Sequence, residues 1–259
     1  MKKATISFVL VLAMCVAMFI PAAALYTTDE LDNRADVSAE PIGDGWALFA
    51  EVYGRERAGH VGINEQTTFY LLRTYFWDEY NINYNYNLGL EEDGIGYIEN
   101  QRTCPNFKIG YHNMSDVGCE IAAVYNSLKL IGEETLCSNI IREFESESYL
   151  MSFLGSAGNM GSDPFAIAEY FDDHSISYDQ YDDFDTMKDD IDDTKNENQV
   201  YIVSYCNSSQ IEDGVHTIAL YTTSSSNDIY LLNKASGTTA DSLSDVTNDS
   251  NFIVGYAVG

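Results

Sequence analysis

Gln199-Val200-Tyr201-Ile202-Val203-Ser204-Tyr205 is the stretch on which the fold turns. Its β-branched and aromatic residues, with no glycine or proline, read as a strand. Residues 215–221, 229–232 and 252–257 read the same way. Turn residues separate the first three runs: Asn207-Ser208-Ser209, then Ser224-Ser225-Ser226-Asn227-Asp228. Upstream of residue 199 the apolar period lengthens to that of a helix. Ile121, Val124, Tyr125 and Leu128 make one apolar stripe, with Ser115 or Asp116 as the cap and Gly132 as the stop. A further helix is expected over residues 134–144. Another begins at Asp163-Pro164, a capping carboxylate followed by proline, and continues through Ile167, Tyr170 and Phe171. Helices first and strands second predict an α+β fold, with N-terminal helices packed on a C-terminal antiparallel β-sheet.

The rest of the chain is less patterned. Phe69, Leu72 and Phe76 predict a helix over residues 64–80, whereas the alternation of Asn with Ile or Tyr over 81–87 fits neither period. Gly155, Gly158 and Gly161 predict a flexible loop. Eight aspartates fall between Asp179 and Asp193 without the spacing of a calcium loop, and read as a solvated face.

Residues 1–24 have the order of a secretory signal peptide: Lys2 and Lys3, an apolar run from Ile6 to Ile20, then Ala22-Ala23-Ala24. Export to the extracellular space or cell surface is therefore expected, with no membrane span in the mature protein. Residues 26–45 are polar and acidic and read as a linker or arm. Residues 25–103 are read as an N-terminal extension, either a pro-segment masking a cleft or an integral part of the domain, and residues 104–259 as the main domain. The formal net charge is −28, from 41 acidic and 13 basic residues, which argues against nucleic acid or an anionic membrane as partner. Beyond Cys15 in the leader, four cysteines remain: Cys104, Cys119, Cys137 and Cys206. The chain is long enough to build a core without staples, so reduced thiols are expected.

One thiol stands out by position. Cys119 falls in the first turn of its predicted helix, where free N–H groups and the helix dipole favour a thiolate. Among His60, His112, His174 and His216, the last opens a strand a hundred residues downstream. The next strand ends at Asn233, which antiparallel pairing carries toward His216, in position to orient an imidazole. Asn113, six residues before Cys119, offers an amide that joins the Cys119 N–H as an oxyanion donor. No His-Glu-x-x-His, Cys-x-x-Cys, phosphate loop or Gly-x-Ser-x-Gly elbow is present, and neither a metal nor a cofactor is expected.

The order amide, cysteine opening a helix, histidine opening a strand, asparagine resembles papain-like cysteine peptidases. It is most similar to the bacterial subgroup that includes the bacteriocin leader-processing (double-glycine) peptidases. Cys119, Ala123, Leu128 and Gly132 match the spacing of that subgroup's nucleophile segment. Gly158-Asn159-Met160-Gly161-Ser162-Asp163-Pro164 resembles the turn into its second helix. The resemblance covers residues 113–258. It implies a papain-like catalytic domain and an exported peptidase acting on peptide or protein substrates, with Cys119 as nucleophile, His216 as base, Asn233 as orienting residue and Asn113 in the oxyanion hole. The chain departs from the pattern twice: Glu120 replaces a glycine, and Asn113 replaces a glutamine. An inactive binding protein on the same fold, or an acyl or amine transferase using the same thiol, are the alternatives.

Overall fold

From Val200 onward the run read as a strand is buried at every residue, and the computed structural model shows why. Strand β6 (Val200–Cys206) lies inside a six-stranded antiparallel sheet with side chains packed on both faces. A strand covered on both sides loses the alternation of a half-exposed one. The structure describes residues 72–73, 80–92, 94–133, 135–147, 149–152, 161–207, 215–234, 238–249 and 251–259. The leader, the acidic arm, Gly155 and Gly158 lie outside these residues, as does nearly all of the helix expected over 64–80. Where that helix is described it differs: Leu72–Arg73 is extended (β1) and pairs antiparallel with β4 (Met151–Ser152).

The short antiparallel pair β2 (Lys108–Ile109) and β3 (His112–Asn113) leads into the helices. The sheet itself is β5 (Tyr178–Tyr181), β6, β7 (Val215–Thr223), β8 (Ser226–Leu232), β9 (Thr239–Ala240) and β10 (Phe252–Val258), in the order β5-β10-β6-β7-β8-β9. β6 to β9 form a meander. The last strand, β10, returns to pair with both β5 and β6.

One face of the sheet carries the N-terminal helices. Helix α1 (Tyr80–Leu90) packs on α4 (Cys137–Ser146). A single-turn helix α2 (Met114–Val117) leads into α3 (Cys119–Ile131), which crosses β6 and β7. Helix α5 (Ala166–Asp173) follows, its entry fixed by Asp163 Oδ1, which accepts from the Phe165 N–H at 2.9 Å. Ile121, Val124, Leu128, Ile140, Phe144, Phe171, Ile202 and Val254 meet in this core. The opposite face is covered by α6 (Phe184–Thr194), which buries Phe184, Met187 and Ile191 against Tyr201, Val203 and Phe252.

Two elements were invisible to hydrophobic periodicity. Helix α1 docks through a polar stripe. Asn83, Asn87 and Glu91 recur every four residues, and all three are buried. Asn83 donates to Gly110 O and Glu145 Oε1, while Asn87 donates to Lys108 O and accepts from its N–H. Glu91 accepts from the N–H groups of Cys137 and Ser138 and from the Ser138 hydroxyl, so that α1 caps the N-terminus of α4. The aspartate-rich stretch, read as a solvated face, folds as β5 and the amphipathic helix α6. Asp183 caps α6 by accepting from the Thr186 N–H at 2.8 Å.

The described part of residues 25–103 belongs to the same body. Ile98 lies in the core, and Asn126 holds it by two hydrogen bonds from α3. Among the described residues no helix is long and apolar enough to cross a membrane.

Candidate functional site

Cys119 opens α3 because Gly118 allows a tight turn after α2. A Cβ at Gly118 would lie 2.5 Å from Met114 Cγ and 2.9 Å from Ile109 Cδ1, so the turn has no room for a side chain. At the other end, Gly132 closes α3 in the left-handed region, with φ of 86°. Cys119 and His216 line one cleft of 310 Å³, with Asn100, Gln101, Arg102, Ser115, Asp116, Asn207, Val215 and Asn233. The residues expected as nucleophile and base therefore line the same cleft, one from α3 and one from β7.

The hydrogen bonds place the protons. His216 Nε2 lies 2.8 Å from the main-chain oxygen of Asn233. A carbonyl only accepts, so Nε2 carries the proton and Nδ1 is left as the basic nitrogen. Burial lowers the imidazole's pKa, and the charges of Lys234 and Arg102 lower it further, against the Asn233 hydrogen bond that raises it.

Asn233 contributes differently from the sequence expectation. Its backbone, not its side chain, meets the imidazole. The residue has φ of 67°, a left-handed conformation that asparagine tolerates better than most residues. This turns the carbonyl toward His216. The side chain instead clasps the loop before α2. Its Oδ1 accepts from the Gln101 N–H, and its Nδ2 donates to Gln101 Oε1 and to Thr217 O.

Asn113 is not brought to the cleft. Its Oδ1 accepts from Lys108 Nζ at 2.6 Å across the β2–β3 pair. Among the amides that do line the cleft is that of Gln101, which the sequence reading missed. Its Nε2 lies 3.2 Å from Met114 O, and Asn233 holds its Oε1. Nothing in the spacing marks Gln101, because it reaches the cleft only through that long-range clasp.

The residue beside the thiol matters most. Cys119 Sγ donates to Glu120 Oε2 at 3.2 Å and lies 3.8 Å from Val215 O. Glu120 is buried, and its Oε1 accepts from the Thr217 hydroxyl at 3.2 Å; that hydroxyl also meets Ser204 Oγ at 2.8 Å. Burial pushes the Glu120 carboxyl up to about 7. Burial, then the Glu120 charge, pushes the thiol well above its ordinary range. With its carboxylate ionised, the site holds a thiol rather than a thiolate. Cys104, Cys119 and Cys137 are free thiols in this structure.

Comparison of the chain with protein-family models, with curated proteins and with solved structures finds no match in any of the three.

Proposed function

We propose that this protein is an exported cysteine peptidase or amidase that hydrolyses peptide bonds through a papain-like arrangement of Cys119 and His216. The observation that carries the reading is the shared cleft: a cysteine at a helix start and an imidazole whose Nε2 proton is held by a main-chain carbonyl line the same opening. Cys119 attacks the carbonyl carbon, and His216 Nδ1 takes the thiol proton. That proton passes to the leaving amine as the C–N bond breaks and a thioester remains. Water, deprotonated by the same nitrogen, then hydrolyses the thioester and restores the thiol. The Cys119 N–H, at the first turn of α3, faces the developing oxyanion. The Asn233 main-chain oxygen holds the ring, and the Asn233 side chain holds Gln101 at the cleft wall.

Cys119→Ala tests this reading. Hydrolysis of a mixed peptide library, followed by mass spectrometry, is expected to disappear with the sulfur, along with labelling at position 119 by a thiol-directed probe. A variant that still cleaves at the wild-type rate ends the proposal. Glu120, which holds the thiol proton in a buried site, is the observation that favours the second reading, a binding protein that has lost its chemistry.

A further inference from the structure

Glu120 has no place in the reaction just described, yet its carboxylate accepts the hydrogen bond of the Cys119 thiol at 3.2 Å. Its carboxylate accepts the thiol proton from behind the cleft, for Glu120 is only 2 % exposed and is absent from the cleft wall. Residues from three segments pack around it. Thr217 of β7 binds Oε1, with Ser204 of β6 behind it. Gly161 covers Oε2 so closely that a Cβ there would lie 3.6 Å from that oxygen and 3.3 Å from Val117 O. The Ser162 main chain also hydrogen-bonds the carboxylate. His216 stands beside Thr217 on β7, its ring 5.8 Å from that of Tyr205 on β6, and Arg102 and Lys234 add positive charge near the imidazole. Asp116 lines the outer cleft.

A carboxyl group in that position changes its hydrogen-bonding role with its proton. Ionised, it can only accept, so it keeps the sulfur protonated and opposes a second negative charge beside it. Neutral, it carries an O–H that can donate to the sulfur. We propose that Glu120 is a proton gate on the nucleophile, so that Cys119 becomes reactive only when the Glu120 carboxyl is protonated. In the gated step the S–H bond breaks and an N–H bond forms at His216 Nδ1. The Glu120 carboxyl keeps its own proton and donates it as a hydrogen bond to the thiolate. The Thr217 and Glu120 main chains also hydrogen-bond the sulfur, and the imidazolium formed in the cleft adds a positive charge. Deprotonating Glu120 withdraws the donor and adds a like charge, and the thiolate–imidazolium pair collapses. The inference rests on Cys119 being the nucleophile, but not on the substrate being a peptide.

The pH dependence is the reverse of an ordinary thiol's, whose alkylation accelerates with pH as thiolate forms. The test is the rate of iodoacetamide modification at Cys119, read by peptide mapping of the whole protein between pH 5 and 9. The wild-type rate is expected to fall above pH 7, by about fivefold over the first pH unit and by close to tenfold over the next, as the neutral carboxyl is titrated away. In Glu120→Gln the amide remains a permanent donor without a charge. Its rate is expected not to fall and to exceed wild type about tenfold or more at pH 8. A wild-type rate that climbs steadily from pH 6 to 9 overturns the gate, as does a Glu120→Gln protein that is no faster than wild type at pH 8. The wild-type profile needs no variant, so misfolding of Glu120→Gln does not rescue the idea. Alkylation is also independent of hydrolysis. A gated thiol in a protein that cleaves no peptide keeps this inference and ends the peptidase. Peptide cleavage that depends on an ungated Cys119 does the opposite.

Discussion

Asn233 shows how far one residue's role can sit from its place in a sequence motif. Its position at the end of β8 was legible, because antiparallel pairing of β7 and β8 sets the distance along the chain. Its contact was not, since the main-chain oxygen reaches His216 only through a left-handed φ of 67°. Asn233→Gly separates the two parts. Glycine adopts that φ without strain, so the tether on the imidazole survives while the clasp on Gln101 is lost. We expect kcat on a peptide substrate to stay within about tenfold of wild type, with the larger change in KM as the cleft wall loosens. A fall in kcat as large as that of a catalytic-residue deletion, about a hundredfold or more, would mean that the asparagine side chain acts on the imidazole after all. Asn113 carries the opposite lesson. Its six-residue offset from Cys119 suggested an oxyanion donor, but β2 supplies a lysine that takes its amide oxygen.

At the scale of elements, the helices and strands with apolar faces were readable, and those held by polar contacts were not. Helix α3 follows its stripe from Cys119 to Gly132, and the four long strands lie where β-branched and aromatic residues concentrate. Helix α1 gave no such signal because its buried face is Asn83, Asn87 and Glu91. Such a face is favourable only when its partners are present, and they come from residues 108–110 and from α4. Glu91→Ala removes the acceptor for two N–H groups at the start of α4 and leaves them buried without partners. We expect a loss of about 1–3 kcal/mol, read as a lower urea midpoint with an unchanged slope. Glu91→Gln keeps one acceptor oxygen and should recover part of that loss. If Glu91→Ala unfolds at the wild-type urea concentration, the polar stripe does not hold these helices together.

Across the whole molecule, charge sets the response to solution conditions. Two buried carboxyls, Glu120 and Glu145, have folded-state values near 7, both pushed up mainly by burial. Glu145 accepts from Asn83 and Gly110 on Oε1, while its Oε2 is buried without a partner. For an acid raised on folding, the native state binds more protons than the unfolded chain between the two pKa values. Stability therefore falls as pH rises from about 4.5 to about 7, and the loss is complete above that window. Each group contributes on the order of 3 kcal/mol across it. His216 is lowered on folding, so it contributes in the other direction below about 6.5 and partly offsets the trend. A formal net charge of −28 adds self-repulsion that weakens as carboxylates protonate. We expect the protein to melt at a higher temperature at pH 5.5 than at pH 8. At pH 8, raising sodium chloride from 20 to 300 mM, concentrations spanning Debye lengths of about 20 Å down to about 6 Å, should raise Tm. Glu145→Gln should flatten the pH trend. A Tm that rises from pH 5.5 to pH 8 would show that these carboxyls are not raised in the folded state.

The sequence alone determined the division into N-terminal helices and a C-terminal antiparallel sheet, and the placement of a cysteine at a helix start and a histidine at a strand start. Those follow from apolar period and turn residues, which act over a few neighbouring residues; the expected cap, Ser115 or Asp116, lies instead inside α2, and Gly118 precedes α3 without a side-chain cap. Only the tertiary structure decided that β10 inserts between β5 and β6, that α1 docks by asparagines, and that Gln101 rather than Asn113 reaches the cleft. It also decided that the Cys119 thiol hydrogen-bonds Glu120. Each of these depends on partners far apart in the chain, and a hydrogen bond between buried groups leaves no periodic trace in the residues that make it.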